Sequence, residues 1–176
     1  MTTLEITHSL TESEIASRVA KLEPILQEVT DYTFHHRTRL VHPIVSFDAS
    51  AIALSFVPAA DSSYTYHHLR KELYNLCGSA GVTVESRYVV PSAHLTIGRF
   101  LDYQDVGDPS KGVIDSGNIR AWLDKIATIN EWLKTEYWDS EKADSEWMVG
   151  QGQGLDCQSC CLWYGDGNRI RIGKGF

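Results

Sequence analysis

Pro91-Ser92-Ala93-His94-Leu95-Thr96-Ile97-Gly98-Arg99-Phe100 places an imidazole two residues before a hydroxyl. Leu95, Ile97 and Phe100 favour extended backbone and Pro91 stands ahead of the run, so the pattern predicts a strand. Side chains alternate across a strand, so His94 and Thr96 share a face. Leu95 and Ile97 are expected on the opposite face, inside a core. A regular strand sends Arg99 to the face away from His94 as well, as a surface or structural cation. An imidazole beside a hydroxyl on a rigid strand suits proton transfer next to a bound anion.

Other chemistry-bearing residues are weighed against this pair. Arg87 and Tyr88 precede the motif and are candidates to border its pocket. Trp163 and Tyr164 lie in a Gly-rich tail, where aromatics stack on a base or fill a core; Tyr164 is the preferred base platform. Cys157-x-x-Cys160-Cys161 invites a zinc reading. A structural zinc site needs four ligands, usually as two separated pairs, and the remaining cysteine, Cys77, has no paired partner nearby. A site without metal is therefore favoured, and no cofactor is called for. His35-His36 and His67-His68 are neighbours in sequence whose side chains point apart on helices, so neither pair chelates readily. Gly150-Gln151-Gly152-Gln153-Gly154 is expected to be flexible. No helix follows it, so it is not a nucleotide-binding phosphate loop.

The elements that must position these groups follow from periodicity. Met1–Thr7 reads as a strand. Thr11 is an N-cap, with Glu12 and Glu14 suited to the positive helix N-terminus. Ile15, Val19, Leu22, Ile25, Leu26 and Val29 then recur at helical spacing. Leu40–Phe47 and Ala51–Val57 read as paired strands around Asp48-Ala49-Ser50. A second helix spans about 64–79, ended by Gly81-Val82, and Arg87–Phe100 enters the histidine strand. After a polar loop, a third helix covers about 117–137. The tail from Trp147 reads as two or three short strands. This order is a mixed α+β pattern and not a regular βαβ alternation. The half from Arg87 onward roughly repeats the half from Met1, which suggests one domain over 1–176 built of two pseudo-equivalent lobes.

The chain has 176 residues, 43% hydrophobic and 22% charged, as in ordinary globular proteins. No apolar run approaches the roughly 18 residues that span a membrane. Met1-Thr2-Thr3-Leu4-Glu5 lacks the basic and apolar regions of a secretory signal. Four cysteines at this length argue against a disulfide scaffold and for a reducing, cytoplasmic setting. The net charge of −7, without a basic run, disfavours a long nucleic acid as partner. A small phosphorylated substrate stays compatible, because a pocket can be locally positive in an acidic protein.

The phrase from Ser86-Arg87-Tyr88 through His94-Leu95-Thr96-Ile97-Gly98-Arg99-Phe100 resembles the second motif of the 2H phosphoesterases. It is most similar to fungal proteins described as RNA ligase or cyclic nucleotide phosphodiesterase-like. Leu4-Glu5-Ile6-Thr7-His8-Ser9, Tyr66-His67-His68-Leu69-Arg70 and Leu162-Trp163-Tyr164-Gly165 extend the resemblance over most of the chain. It implies a two-lobed fold with antiparallel sheets around a central cleft and helices outside. It also implies two His-x-Thr/Ser motifs facing each other across that cleft. In similar sequences the opening reads His-Met-Thr-Thr-Leu-Glu, so Thr2 is the threonine of the first motif and its histidine is expected just before Met1. The internal alternative, His36-Arg37-Thr38, falls at the end of the first helix, where residues two apart do not share a face.

The implied chemistry is metal-independent opening of a nucleoside 2′,3′-cyclic phosphate or of an RNA end carrying one. One imidazole takes a proton from water and the other returns one to the leaving oxygen. Thr96 and Thr2 would hold the non-bridging oxygens. The protein is expected to act as a monomer on a small nucleotide or RNA terminus. A chain with only one of the two histidines reads alternatively as a phosphate- or nucleotide-binding module without efficient turnover.

Overall fold

Asp48 closes the first hairpin of the chain. Its Oδ1 accepts hydrogen bonds from the Ser50 amide (2.6 Å), the Ser50 hydroxyl (2.8 Å) and the Ala51 amide (2.9 Å). This local ring of donors is what an Asp-initiated turn supplies, and it joins β1 (Arg39–Phe47) to β2 (Ala51–Pro58). The computed structural model describes residues 1–86, 93–108, 113–138, 140, 142, 145–159 and 167–176. The chain packs as two units that interleave along the sequence. One comprises Met1, Val41–Val57 and Ser92–Glu146, the other Thr2–Leu40, Pro58–Pro91 and Trp147–Phe176. Both contain helices and antiparallel strands, an α+β composition.

In the first unit β2 pairs antiparallel with β3 (Ala93–Arg99), giving the order β3-β2-β1, and β4 (Gly107–Asp108) pairs antiparallel with β5 (Val113–Ile114). Helix α4 (Ser116–Tyr137) starts at Asp115, whose side chain accepts the Asn118 amide at 2.9 Å. It lies along the open edge of β1. The Asn130 amide donates to the Val45 carbonyl (3.0 Å) and accepts from the Val45 amide (2.7 Å). Two residues back along the same edge, the Pro43 carbonyl accepts the Trp138 indole N–H at 3.0 Å. One side-chain amide thus stands in for a ladder partner. Trp122 packs edge-on against Phe47 (ring centroids 4.5 Å) and Phe100 (5.9 Å), while Ile126 and Leu133 are buried.

α4 meets the unit at β1 and Phe100, and among the described residues β3 is an outer strand. This is why the expected inward face of β3 is not a core face. Leu95 is 39% and Ile97 62% exposed.

In the second unit the first helical stretch is two helices. α1 (Glu12–Leu22) opens with a capping box: Thr11 accepts the Glu14 amide, and the Glu14 carboxylate accepts the Thr11 amide at 2.8 Å. Pro24 lacks the donor that an α-helix needs, so Glu23–Ile25 tighten into a 3₁₀ turn before α2 (Leu26–His35). α3 (Tyr66–Ser79) is capped by Thr65, with the His68 imidazole accepting the Thr65 amide at 3.1 Å. It ends at Gly81, whose φ of 73° lets the Val82 amide reach back to the Cys77 carbonyl (3.0 Å).

Leu22, Cys77 and Val82 form a buried cluster, with Leu4, Ile6 and Ile25 packed against it. The expected strand over Met1–Thr7 does not form. The alternation of Leu4 and Ile6 packs them against this cluster, and among the described residues the Glu85 N–H donates to the Ile6 carbonyl (2.8 Å). The start of β1 pairs here with β6 (Trp147–Met148), through Arg39↔Met148 and Leu40↔Trp147.

Gly150, Gly154, Gly173 and Gly175 of the tail sit in close contact with neighbouring chain. β7 (Asp156–Ser159) and β8 (Asn168–Ile172) form an antiparallel ribbon, and its base sits on α2. The Leu155 amide donates to the Thr30 carbonyl (2.8 Å), and Arg171 Nε donates to the Thr30 hydroxyl (3.1 Å). A Cβ on Gly173 would lie 1.9 Å from that same carbonyl oxygen. At Gly150, with φ of 83°, it would lie 2.1 Å from the Thr33 hydroxyl.

Two outcomes follow. Gly173→Ala forces two backbones apart and should cost about 1–3 kcal/mol. Gly152→Ala, with nothing within 4 Å of the added atom, should leave the urea midpoint unchanged. Equal midpoints for the two variants would refute this packing. Burial, and then the nearby Cys157 thiol, pushes the Cys77 thiol from 9.0 up to about 11. A raised thiol value means that the fold favours the neutral form. Its contribution is complete below pH about 9 and lost as pH rises through about 11. Chemical denaturation across that window should show Cys77→Ala with a shallower alkaline loss than the parent.

Candidate functional site

β2 is a single strand over Ala51–Pro58. Ile52, Leu54 and Phe56 point one way; Ala51, Ala53 and Ser55 point the other. Its pairing with β3 decides which side chains of β3 join each set, because directly opposed residues share a face. His94 opposes Ser55 and Thr96 opposes Ala53, so the imidazole and the hydroxyl do stand side by side on the face of the small residues.

The register then shifts between Ala53 and Ile52. Gly98 opposes Ile52 and Arg99 opposes Ala51, leaving Ile97 as an extra residue. A bulge of this kind re-aims the side chains that follow it. Arg99 therefore lies on the same face as His94 and Thr96, not on the opposite one. The sequence expectation assumed a regular strand, and the bulge inverts its parity.

The resulting face carries imidazole, hydroxyl and guanidinium in a row. Each is set against one of Ser55, Ala53 and Ala51, with successive steps of about 6.5 Å along β2. A further hydroxyl extends the polar strip, since Ser46 Oγ lies 2.5 Å from Ser55 Oγ. His94 is half-buried, whereas Thr96 and Arg99 are exposed. Ala51, Ala53 and Ser55 add little bulk between these groups.

Asp48 stands at the turn end of the row. Hydrogen bonds from Ser50 and Ala51, and more weakly the charge of Arg99, hold its carboxyl below the usual carboxylate range. Such an arrangement can move a proton at the imidazole while donors hold an anion beside it.

Thr2 belongs to the second unit, where it is half-buried. The adjacent Thr3 carbonyl accepts Arg70 Nη1 at 3.0 Å, which ties this segment to α3. Tyr66, one turn before Arg70, is fully buried, and burial raises its hydroxyl pKa against the opposing effect of Arg70. Arg87, Tyr88, Trp163, Tyr164, Cys160 and Cys161 lie outside the described residues. Of the internal alternative, His36 is the C-cap of α2, and Thr38 is fully buried with no hydrogen-bond partner for its hydroxyl. It offers no donor to a ligand.

One histidine of each pair meets Tyr64. His36 stacks on Tyr32 (4.3 Å), and Tyr64 contacts both His36 (5.5 Å) and His68 (5.6 Å). Cys77 is a buried free thiol and Cys157 a half-buried one. Among the described residues no group of three or more His, Cys, Asp or Glu can hold a metal ion. Nor is any helix among them long and apolar enough to cross a membrane.

Sequence reasoning missed Ser55, Ser46 and Arg99 as members of this face. The signal for Ser55 was present. The apolar period Ile52-Leu54-Phe56 leaves Ala51, Ala53 and Ser55 on the other side. For Arg99 there was no comparable signal, because a bulge is a property of pairing.

No family model, curated protein or solved structure matches this chain.

Titration with inorganic phosphate, followed by amide chemical shifts, should move Thr96, His94 and Ser55 first. Thr96→Val, which deletes the hydroxyl and keeps the shape, should weaken that binding by a few-fold to about tenfold. Shifts that leave this strip untouched would remove it as an anion site.

Proposed function

We propose that this protein is a metal-independent phosphoesterase of the 2H type, opening cyclic phosphodiesters by histidine general acid–base catalysis. Nucleoside 2′,3′-cyclic phosphates or RNA ends carrying them are its substrates. The observation that carries this reading is the face on which His94 and Thr96 stand together across from Ser55 and Ala53. The residue phrase around them, and its likeness to the second 2H motif, supply the reaction class.

His94 serves as one proton-transfer group and Thr96 as a donor to a non-bridging phosphate oxygen. The likeness to the 2H motifs implies a second His-x-Thr pair, with Thr2 as its threonine. Arg87, Tyr88 and Tyr164 are assigned to the substrate. Water attacks phosphorus as one imidazole removes its proton. The bond from phosphorus to one ribose oxygen breaks, and the other imidazole protonates that oxygen. Each positioned transfer is worth about 10²–10⁴-fold. The protein acts as a cytoplasmic monomer with no cofactor.

The test is hydrolysis of 2′,3′-cyclic AMP in EDTA, with the chain extended by one histidine before Met1. Turnover is expected, and His94→Ala should lower kcat by about 10²–10⁴-fold. Retained activity in His94→Ala would overturn the assignment. Phosphate binding without turnover in the extended chain would make the protein a binding module instead.

A further inference from the structure

The row on β2 and β3 is longer than one phosphate needs. A phosphate within reach of the His94 imidazole lies at the His94–Thr96 end. Arg99 sits on the far side of Thr96, one further step along the ladder, because its partner is Ala51 and that of Thr96 is Ala53. Those partners are about 6.5 Å apart along β2, close to one sugar–phosphate repeat of an extended strand. Asp48, at the turn beyond Ala51, marks that end of the row. A cation there, two ladder steps from His94, suits a separate anion better than the reacting one.

We infer that Arg99 takes a second phosphate, one nucleotide away from the reacting cyclic phosphate, so that the site is built for the end of an RNA chain in preference to a mononucleotide. This rests on the phosphoesterase reading and narrows its substrate class. Arginine is suited to the task, as its fork matches phosphate oxygens bidentately. One such cation in a protein of net charge −7 extends recognition by a single phosphate and does not create a track for a long polyanion. Ala51 and Ala53 put only methyl groups between the two anion positions.

The histidine-extended chain and its Arg99→Ala and Arg99→Lys variants are assayed on two substrates. One is 2′,3′-cyclic AMP, and the other is a diadenylate ending in a 2′,3′-cyclic phosphate. The parent should favour the dinucleotide in kcat/KM by about tenfold, the scale of one charge-assisted contact at an exposed site. Arg99→Ala should bring the ratio near one, and Arg99→Lys should restore part of it. A parent without preference, or an Arg99→Ala variant whose ratio is unchanged, would overturn the inference while leaving the phosphoesterase reading in place.

If neither substrate turns over, that reading fails, and the subsite is judged by binding alone. Adenosine 3′-phosphate and the diadenylate 3′-phosphate are then titrated by calorimetry. Tighter binding of the dinucleotide that depends on Arg99 supports the second anion position, and equal affinities remove it.

Discussion

Side chains on a strand alternate, so one extra residue changes which groups can act together. That constraint governs the first unit. β2 runs without interruption, and its small face, Ala51-Ala53-Ser55, acts as the ruler against which β3 is read. His94 and Thr96 fall on that face by ordinary alternation. Arg99 joins them because Ile97 is looped out of the count. Without the bulge, the strand would present its cation on one side and its imidazole on the other. The exposure of Ile97 fits this account, since the inserted residue has no partner across the ladder.

The second unit depends on a different constraint, close backbone contact. The Thr30 carbonyl receives the Leu155 amide, and the bare Cα of Gly173 approaches it on another side. Thr30 also receives Arg171 on its hydroxyl while donating that hydroxyl to the Leu26 carbonyl. α2 and the tail ribbon are therefore joined at Thr30, whose carbonyl and hydroxyl are both hydrogen-bonded within the protein, as burial of such groups demands. The cluster of Leu22, Cys77 and Val82 buries Leu4 and Ile6, and Arg70 holds the Thr3 carbonyl. The segment carrying Thr2 is thus positioned by helices and not by a sheet.

Much of this was legible in the residues, and the exceptions have common causes. Thr11 and Glu14, the hairpin around Asp48, the α3 stop at Gly81 and the long α4 all rest on local chemistry, and local chemistry can be read from a short window. The split of the first helix was written at Pro24 but hidden by the apolar period running through it. The strand expected at Met1–Thr7 and the buried side expected for Leu95 and Ile97 share one fault. Periodicity shows which residues lie together, but not what they lie against. Leu4 and Ile6 pack against the helical cluster, whereas Leu95 and Ile97 stay exposed. Of the site, the His94–Thr96 pair was legible because it sits before the bulge, and Arg99 was not because it sits after it.

The Asn130 contact has a consequence for how this protein meets other chains. An open β-edge is a template on which another strand can add, and such edges drive unwanted association. At Val45 both edge groups of β1 are consumed by one amide from α4, and at Pro43 the missing N–H of proline and the Trp138 indole close the neighbouring position. The helix therefore works as a plug as well as a packing layer. A lesion that merely loosened α4, without touching the His94 face, would release a strand edge and turn a folding defect into an aggregation hazard.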